Sequence, residues 1–517
     1  MIEQELLERK RRIVQVEMRG IVKRFPGVLA NDRIDFDVHS GEVHALLGEN
    51  GAGKTTLMNI LFGLYRPNEG RILLNGQAES IHSPADAIRL GIGMIHQHFM
   101  LVPTLSVAEN VALGLPSSRG LMLDLDVVTN RIHELSSRYG LQMDPTAMVW
   151  QLSVGEQQRV EIVKALYRGA DLLILDEPTA VLTPQEVNDL FNTLRRMAKE
   201  GHALIFISHK LHEVLSISDR VTVLRDGRVV RTVPTLETTA SELACLMVGR
   251  EVLLRVQRPP VELGEARLSL EDVWADSDRG VPALRGVGLT VRAGEILGVA
   301  GVSGNGQREL AEVIAGLREP SQGRIKIDDV DTTGWQPSRL LKLGLSYIPE
   351  ERMRDGVIRD FSVEENLILQ DHAGEPYANG IFMNFGNIAE RADELIQAFD
   401  IRTPNRDTPL KNLSGGNIQK MVLARELSRQ PRVLVAAQPT RGVDISATEY
   451  IHRRLIQQRA EGTATLLISE DLDEIRNLSD RIAVMYEGQI AGVAERDQAT
   501  VEQLGLMMAG AGATRSE

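Results

Sequence analysis

The sequence predicts an α/β fold that occurs twice along the 517-residue chain. Three observations support this prediction. Short apolar segments typical of buried parallel strands alternate with helical stretches. A glycine-rich loop joins a strand to a helix at 48–55 and again at 301–308. Matching residues of the two halves keep a constant spacing, so the second half repeats the first.

The spacing of matching residues fixes the register of the repeat. Lys54 matches Gln307 at an offset of 253, whereas Ser153 matches Ser414 at an offset of 261. The second half therefore gains eight residues between these points, as expected for a loop change in a shared fold. A proline-bearing polar stretch between the halves indicates a short linker. The predicted segments are a tail at 1–13, a domain at 14–250, a linker at 251–264, a domain at 265–510 and a tail at 511–517.

Composition restricts the class of protein. A net charge of -13 argues against general nucleic-acid binding, which needs a basic surface. Cys245 is the only cysteine, which excludes intrachain disulfides and cysteine-cluster metal sites and suits a reducing compartment. We expect this thiol to be a buried small hydrophobe. The chain contains no apolar run of roughly 18 residues and its start is too charged for a secretory signal, so we expect a cytoplasmic protein.

The first glycine-rich loop fits the pattern Gly, four residues, Gly-Lys-Thr of a phosphate-binding loop. Its glycines let backbone N–H groups face phosphate oxygens, and the following helix adds its positive end. Lys54 would hold the β- and γ-phosphates, and Thr55 would bind Mg²⁺. A flexible turn is the alternative, but the strand before it and the helix after it favour phosphate binding. The predicted binding residues here are Gly48, Glu49, Asn50, Gly51, Ala52, Gly53, Lys54, Thr55 and Thr56.

Polar side chains follow three other apolar strands of the first half. Asp176 and Glu177 end one strand, His209 ends the next, and Gln97 follows an earlier one. The carboxyl ends of parallel strands meet at one edge of a sheet, where phosphoryl transfer is supported by positioning and charge neutralisation. Asp176 would anchor Mg²⁺, Glu177 would polarise the attacking water, His209 would reach the γ-phosphate and Gln97 would touch Mg²⁺ or its water. An acidic turn and a helix-capping histidine remain as alternatives.

Two further motifs have the form of a signature sequence, Leu152-Ser-Val-Gly-Glu-Gln-Gln-Arg159 and Leu413-Ser-Gly-Gly-Asn-Ile-Gln-Lys420. Together with the residues above, they make the chain resemble the ATP-binding-cassette family over nearly its whole length. The resemblance implies an ATPase with ATP and Mg²⁺ as ligands. It also implies two P-loop domains, each with a RecA-like α/β core, an antiparallel β subdomain and an α-helical signature subdomain at about 102–150 or 361–410.

The resemblance further implies that each signature meets the γ-phosphate held by the opposite cassette, where helix N-termini offer N–H groups to the anion. Phe25 would stack on adenine, with core packing as the alternative. The first half has Thr183 where the second has Asp444, which puts its contribution to the second site in doubt. To the first site, the second cassette would contribute Ser414, Gly415, Gly416 and Asp444.

The second half repeats the motif pattern, but the lysine, the metal-binding carboxylate, the catalytic base and the histidine of the first half are all replaced. Losing one transition-state donor costs roughly 10²- to 10³-fold in rate, so we predict no turnover there. Nucleotide binding is left open, because glycines remain in the loop and Arg308 offers a cation. The aromatic position is Asp278. The residues of this degenerate site are Gly301, Gly304, Gly306, Gln307, Arg308, Glu350, Ala437, Gln438 and Glu470, with Ser153, Val154 and Gly155 from the first signature.

One intact and one degenerate cassette in tandem resemble the importer ATPases for simple sugars and related solutes. The segments 91–103, 347–352, 436–440 and 468–471 are most similar to the branch thought to import nucleosides. The resemblance implies a peripheral protein on the cytoplasmic face of the cell membrane, bound to two integral-membrane permeases and acting indirectly with an extracytoplasmic solute-binding lipoprotein, without nucleic acid. Import of ribose, galactose or xylose is the alternative. A soluble tandem-cassette factor acting on ribosomes and a DNA-repair ATPase are disfavoured.

Overall fold

The computed structural model describes residues 12–96, 99–115, 124–179, 182, 184–208, 210–251, 258–302, 304–508 and 510. The chain divides into two compact units, Met1–Val252 and Leu253–Glu517. The finer boundaries given above stay a prediction.

Six strands form the core sheet of the first unit. Neighbouring strands are parallel except for the first pair, which is antiparallel. Three inner strands are buried at every residue, as a parallel sheet covered on both faces requires. The carboxyl ends of the parallel strands therefore share one edge. In spatial order the strands are Arg228–Pro234, Arg220–Arg225, Val43–Leu47, Ala203–Ile207, Leu172–Asp176 and Ile92–Ile95.

An antiparallel sheet of four strands packs onto this core. Met18 and Phe36 of that sheet share one apolar cluster with Leu46 and Ile174 of the parallel sheet. Its strands, in spatial order, are Val28–His39, Gln15–Phe25, Glu69–Leu74 and Gln77–Glu79. The α-helices of the described part of this unit are Lys54–Leu61, Pro84–Arg89, Val107–Ala112, Leu125–Tyr139, Val154–Tyr167, Pro184–Lys199, Leu211–Ile217 and Ala240–Val248.

The second unit has the same strand order. From the opposite edge to that used for the first unit, the strands of its core sheet are Leu345–Ile348, Val433–Ala437, Ala464–Ser469, Ile296–Ala300, Arg481–Tyr486 and Gln489–Glu495. The strands of its antiparallel sheet, in spatial order, are Pro282–Arg292, Ala266–Asp276, Gln322–Ile327 and Val330–Asp331. A short hairpin, Ala378–Asn379 with Phe382–Met383, lies in the stretch that holds the eight additional residues. Its α-helices in the described part are Gln307–Ile314, Pro337–Leu343, Val363–Leu367, Phe385–Ala398, Gly415–Leu427, Ile445–Ala460, Leu472–Leu478 and Val501–Met508, and a π-helical turn spans Arg352–Gly356.

Each unit also carries a helical subdomain whose helices begin at polar capping residues. Ser106 and Ser362 each accept a hydrogen bond from the backbone of a glutamate three residues on, which in turn reaches back to the cap. Such reciprocal caps satisfy two orphan donors of the first turn and fix where a helix starts. The predicted fold class is thus confirmed: two α/β cassettes, each with a parallel core, an antiparallel sheet and a helical subdomain.

Two details differ from expectation or refine it. Cys245 is exposed, so the prediction of a buried thiol was wrong. The helix Ala240–Val248 buries Leu243, Ala244 and Met247 on one face and leaves Cys245 on the other. Within the linker, Arg258 donates to the Ser479 carbonyl at 2.7 Å, so that end of it is attached to the second unit. None of the helices in the described residues is long and apolar enough to cross a membrane.

Candidate functional site

The glycine-rich loop of the first unit connects the strand Val43–Leu47 to the helix Lys54–Leu61 at the carboxyl edge of the sheet. Gly51 and Gly53 have φ of 85° and 96°, in the left-handed region that favours glycine. At Gly53 a Cβ would lie 2.3 Å from the Ala30 carbonyl oxygen, so any side chain there would displace the loop. The tight turn that the sequence predicts therefore depends on glycine.

Lys54 is enclosed by this loop. Its side chain is almost buried, and its Nζ donates to the carbonyls of Gly48 at 2.6 Å and of Glu49 at 3.0 Å. Burial lowers the pKa of the Lys54 ammonium, while the carboxylates of Glu177 and Asp176 oppose that shift. The lysine thus stands between the loop and the acidic pair, where an incoming phosphate would find a poorly hydrated cation.

The acidic pair ends the strand Leu172–Asp176, as predicted. Asp176 is 8% exposed, and burial together with the neighbouring Glu177 charge raises its pKa to about 6, with Lys54 acting against the shift. Glu177 has a left-handed φ of 48°, and its N–H donates to the Ile207 carbonyl at 3.0 Å. A non-glycine residue in this conformation costs of order 1 kcal/mol and is typical of functional sites. The backbone therefore turns at the residue predicted to activate water.

Replacing Asp176 with asparagine is expected to stabilise the protein free of nucleotide and metal. The folded-state pKa lies above the ordinary 3.8, so the stabilising proton is fully bound below about pH 4 and is lost as the pH rises through about 6. Asparagine carries no proton to lose, so its contribution to stability does not fall as the pH rises. We expect the unfolding free energy of Asp176→Asn at pH 7.5 to exceed that of the wild type by up to about 3 kcal/mol.

Thermal unfolding measured at pH 7.5 and pH 5 checks this expectation. The advantage of Asp176→Asn should shrink at pH 5, where part of the wild-type carboxyl is protonated. An equal or larger advantage at pH 5 would contradict the assigned cause of the pKa shift.

Phe25 ends the strand Gln15–Phe25 and is half-buried rather than part of the apolar core. Its ring meets Tyr65 edge to face, with centroids 5.5 Å apart, and Lys23 Nζ lies 5.1 Å from the Phe25 centroid. A partly exposed aromatic ring held in this way suits a planar base, and adenine stacking on Phe25 stays a prediction. Tyr65 was not predicted from the sequence.

Three predicted residues, Gln97, His209 and Thr183, lie outside the described residues. The strands before the first two, Ile92–Ile95 and Ala203–Ile207, end at the same sheet edge as Glu177. Their predicted roles are untested by the geometry.

Both signature serines occupy the N-cap position of a helix, yet their hydroxyls make different hydrogen bonds. Ser153 accepts from the Glu156 N–H at 3.3 Å in a reciprocal cap. Ser414 makes no such cap, and its Oγ accepts from Asn417 Nδ2 at 2.9 Å instead. Around the following glycines, a Cβ on Gly155 would meet Glu186 Oε1 at 2.2 Å, whereas one on Gly416 would lie 3.3 Å from Ala447 Cβ and 3.8 Å from Asp444 Oδ2. The second signature therefore has the hydroxyl that is not committed to capping its own helix.

The loop of the second unit keeps the shape of the first. Gly304 and Gly306 have φ of 90° and 102°, and Gly301 begins the loop after the strand Ile296–Ala300. Gln307 replaces the lysine, is 8% exposed and donates from Nε2 to the Val302 carbonyl at 3.0 Å. Its Oε1 is buried and has no hydrogen-bond partner among the residues that the structure describes. A neutral amide thus occupies the lysine position and makes an equivalent contact to the loop.

Arg308 does not project into this loop as an uncommitted cation. It pairs with Glu312 at 2.7 Å and with Asp278 at 3.6 Å. Arg318 contacts the same two carboxylates, at 2.6 Å to Asp278 and 2.7 Å to Glu312. By the offset of the repeat, Asp278 and Arg318 match Phe25 and Tyr65, so an ion pair stands where the first unit has its aromatic pair. Extending the repeat comparison to Tyr65 would have revealed this exchange.

The remaining positions of the second site keep the backbone and change the side chains. Ala437 ends its strand, and Gln438 has φ of 48°, as Glu177 does. The Gln438 N–H donates to the Ile468 carbonyl at 2.8 Å, and its Oε1 accepts from the Glu470 N–H at 3.3 Å. Glu350 forms an ion pair with Arg441. The end of this strand therefore carries an alanine and a glutamine where the first unit carries Asp176 and Glu177.

Two phosphate-loop folds, each at the carboxyl edge of a parallel sheet and each accompanied by a signature helix with a serine at its N-cap position, define a P-loop nucleotide-binding protein. The chain belongs to the ABC transporter family, whose model matches residues 31–180 and 284–441. As a member of that family it binds ATP and is an ATPase.

Relatives match over nearly the whole chain. It is 51% identical to the glucose import ATP-binding protein TsgD13 of Haloferax volcanii, covering 96% of each chain. It is 46% identical to the nucleoside import ATP-binding protein NupA of Lactococcus lactis, covering 96% of this chain and 98% of the relative. A solved structure of archaeal ribosome recycling factor aABCE1 with stalk protein aP1 aligns with a TM-score of 0.63 at 21% identity, over 92% of this chain and 90% of that one. That likeness concerns the fold alone.

Proposed function

We propose that this chain is the ATP-hydrolysing subunit of a membrane importer for nucleosides, working on the cytoplasmic face of the membrane. One observation carries the proposal. Only one cassette has a full set of catalytic motifs in its sequence, and the chain matches import ATP-binding proteins over 96% of its length. The relatives include a guanosine import protein, NupO of Bacillus subtilis, at 46% identity. Import of simple sugars is the alternative, favoured by the 51% identity to the glucose import protein.

ATP hydrolysis is assigned to the first cassette. Lys54 leaves the carbonyls of its own loop to hold the β- and γ-phosphates, and Glu177 accepts a hydrogen bond from the water that attacks the γ-phosphate. From the sequence motifs, His209 is assigned a contact to the γ-phosphate, and Gln97 is assigned a contact to Mg²⁺ or its water. Phe25 stacks on the adenine. Positioning and electrostatic stabilisation of this kind supply most of the catalysis in phosphoryl transfer.

The donor set also fits Mg²⁺. Asp176 is a buried carboxyl with a raised pKa, which a divalent cation would relieve, and Thr55 supplies a hydroxyl oxygen. Mg²⁺ in phosphoryl-transfer sites takes one or two carboxylates plus phosphate oxygens and waters, so no larger cluster of ligands is needed. Thr55, Asp176 and Gln97 would hold the ion, which would neutralise charge on the phosphates.

The second cassette is assigned a supporting role. Ser414, Gly415 and Gly416 offer a hydroxyl and helix N-terminal N–H groups to the γ-phosphate, and Asp444 orients its loop toward the same site. The hydroxyl of Ser414, uncommitted to capping, supports this assignment. Its own nucleotide site lacks the lysine and both carboxylates and does not hydrolyse ATP.

Transport follows from differential binding. ATP bound to the first cassette is held more tightly when the second signature adds its contacts, and a ligand shifts a conformational equilibrium only by such a difference. Closing moves the helical subdomains, at about 102–150 and 361–410, against the cores. Two integral-membrane permeases that contact these subdomains would then change the side of the membrane to which their solute site opens. A solute-binding lipoprotein would deliver the solute to the permeases from outside the cell. ATP hydrolysis would reopen the two cassettes.

Co-purification and transport test this function. The full-length chain expressed with the membrane proteins of neighbouring genes should copurify with two permeases, and the complex in proteoliposomes should take up labelled nucleosides in an ATP-dependent manner. Uptake of ribose or glucose instead would select the sugar alternative. Association with ribosomes and no permease would contradict the importer assignment.

A further inference from the structure

An arginine in the second cassette has no counterpart in the first. Arg352 opens the π-helical turn that follows the strand Leu345–Ile348 and is half-buried. The offset between matching residues rises from 253 at Glu350 to 256 at Ser362, which matches Ser106, so Arg352 lies where the second half gains three residues. The shared fold therefore gives no reason for a guanidinium at this place, and its contacts are specific to the second half.

The guanidinium lies between one loop and the signature helix of its own unit. Nη1 donates to the Arg441 carbonyl and Nη2 donates to the Gly442 carbonyl at 3.1 Å. The same Nη2 is 3.0 Å from the position that a Cβ on Gly415 would occupy. Arg352 thus packs against the first glycine of the signature helix while it holds the loop 440–444.

Other contacts fix the same loop. Gln419, buried in the signature helix, donates from Nε2 to the Pro439 carbonyl at 2.7 Å. Asp444 Oδ1 accepts from the Ala447 N–H at 2.7 Å and caps the helix Ile445–Ala460. Arg441 pairs with Glu350 and, at 3.2 Å, with Glu351. The loop is held at its start, its middle and its end.

The charges of this arrangement are confined to one half of the sequence. In the first half the residues matching Glu350, Glu351 and Arg441 are Gln97, His98 and Ala180. The corresponding ion pairs therefore cannot form there. The half that has them is the half whose signature is assigned to the working nucleotide site.

We propose that Arg352 is a positioning residue for ATP hydrolysis, holding Gly415 and the loop that ends in Asp444 in the arrangement that meets ATP. The inference rests on the proposed contribution of the second signature to the first site. The guanidinium of Arg352 is committed to the carbonyls of Arg441 and Gly442. A planar guanidinium that donates to two carbonyls fixes direction as well as distance, which a lysine cannot do. Misplacing a reacting group by about 1 Å costs roughly 100-fold in rate.

Steady-state ATPase measurements on the full-length chain test this role. Arg352→Ala should lower kcat by about 10- to 100-fold. Arg352→Ala should still bind ATP in EDTA, because the phosphate loop of the first cassette is untouched. Arg352→Lys should recover only part of kcat. Guanidinium chloride at tens of millimolar should raise the kcat of Arg352→Ala, whereas NaCl should not.

Two further variants separate the possible failures. Arg354→Ala is the matched control: Arg354 lies in the same turn, is well exposed and pairs with Asp355 at 2.8 Å, so its kcat should stay near that of the wild type. Ser414→Ala reports on the proposed function. If Ser414→Ala lowers kcat and Arg352→Ala does not, the inference fails and the proposed function stands. If neither does, the contribution of the second signature itself fails.

Stability is measured in parallel. If Arg352→Ala melts far below the wild type, Arg352→Gln, which keeps an amide donor, replaces it in the same assays. A loss of kcat that neither lysine nor guanidinium recovers would mean that Arg352 only supports the fold, and would overturn the inference.

Discussion

Glu177→Gln is expected to bind ATP and to lose ATP turnover by about 10²-fold or more. The residue sits at the end of the strand Leu172–Asp176 in a left-handed turn, and glutamine occupies the matching position 438 with the same φ of 48°. The substitution therefore removes the water-activating charge without disturbing the backbone. Phosphate release gives kcat, and equilibrium binding of ATP gives the affinity.

Gln438→Ala is the control for that experiment. It lies at the matching position of the second cassette, where the preceding residue is Ala437 and no metal carboxylate is present. We expect its ATPase rate to stay within about twofold of the wild type, since it lies outside the proposed reaction. Equal losses in both variants would show that the two cassettes share the chemistry.

Lys54→Gln is expected to have an effect of similar size through binding. The substitution would give the first loop the residue that the second loop already has. Gln307 shows that an amide fits this position, because its side chain is almost buried and donates to the Val302 carbonyl at 3.0 Å. The fold should therefore persist while the β- and γ-phosphates lose their cation. We expect kcat/KM for ATP to fall by about 10²- to 10³-fold.

Gln307→Ala provides the comparison. It deletes the amide and its contact to Val302 but removes no charge from the proposed catalytic site. We expect kcat/KM within about threefold of the wild type and a small loss of stability in the second cassette, of order 1 kcal/mol for one hydrogen bond. A loss in Gln307→Ala matching that of Lys54→Gln would contradict the asymmetry.

The sequence was sufficient for features that depend on local chemistry. Each of these features is a short continuous segment of sequence: a glycine-rich loop, a buried strand that ends in acidic residues, or a serine at the start of a helix. The fold class and the family were predicted from these segments. The contacts that arise across the fold were missed. Tyr65 lies 40 residues from Phe25, and Arg352 lies far along the chain from Gly442 and Gly415. Which face of the helix carries Cys245 also depends on tertiary packing, and it was predicted wrongly.

The retained left-handed turn at Gln438 bears on the ancestry of the chain. Gln438 keeps this backbone conformation although its side chain is neutral, and the same turn occurs at Glu177, which is proposed to activate water. Together with the common strand order, this is what an internal duplication of one cassette would leave in the backbone. The main chain of the two cassettes is therefore alike at this turn, while the side chains at positions 437 and 438 differ from those at 176 and 177.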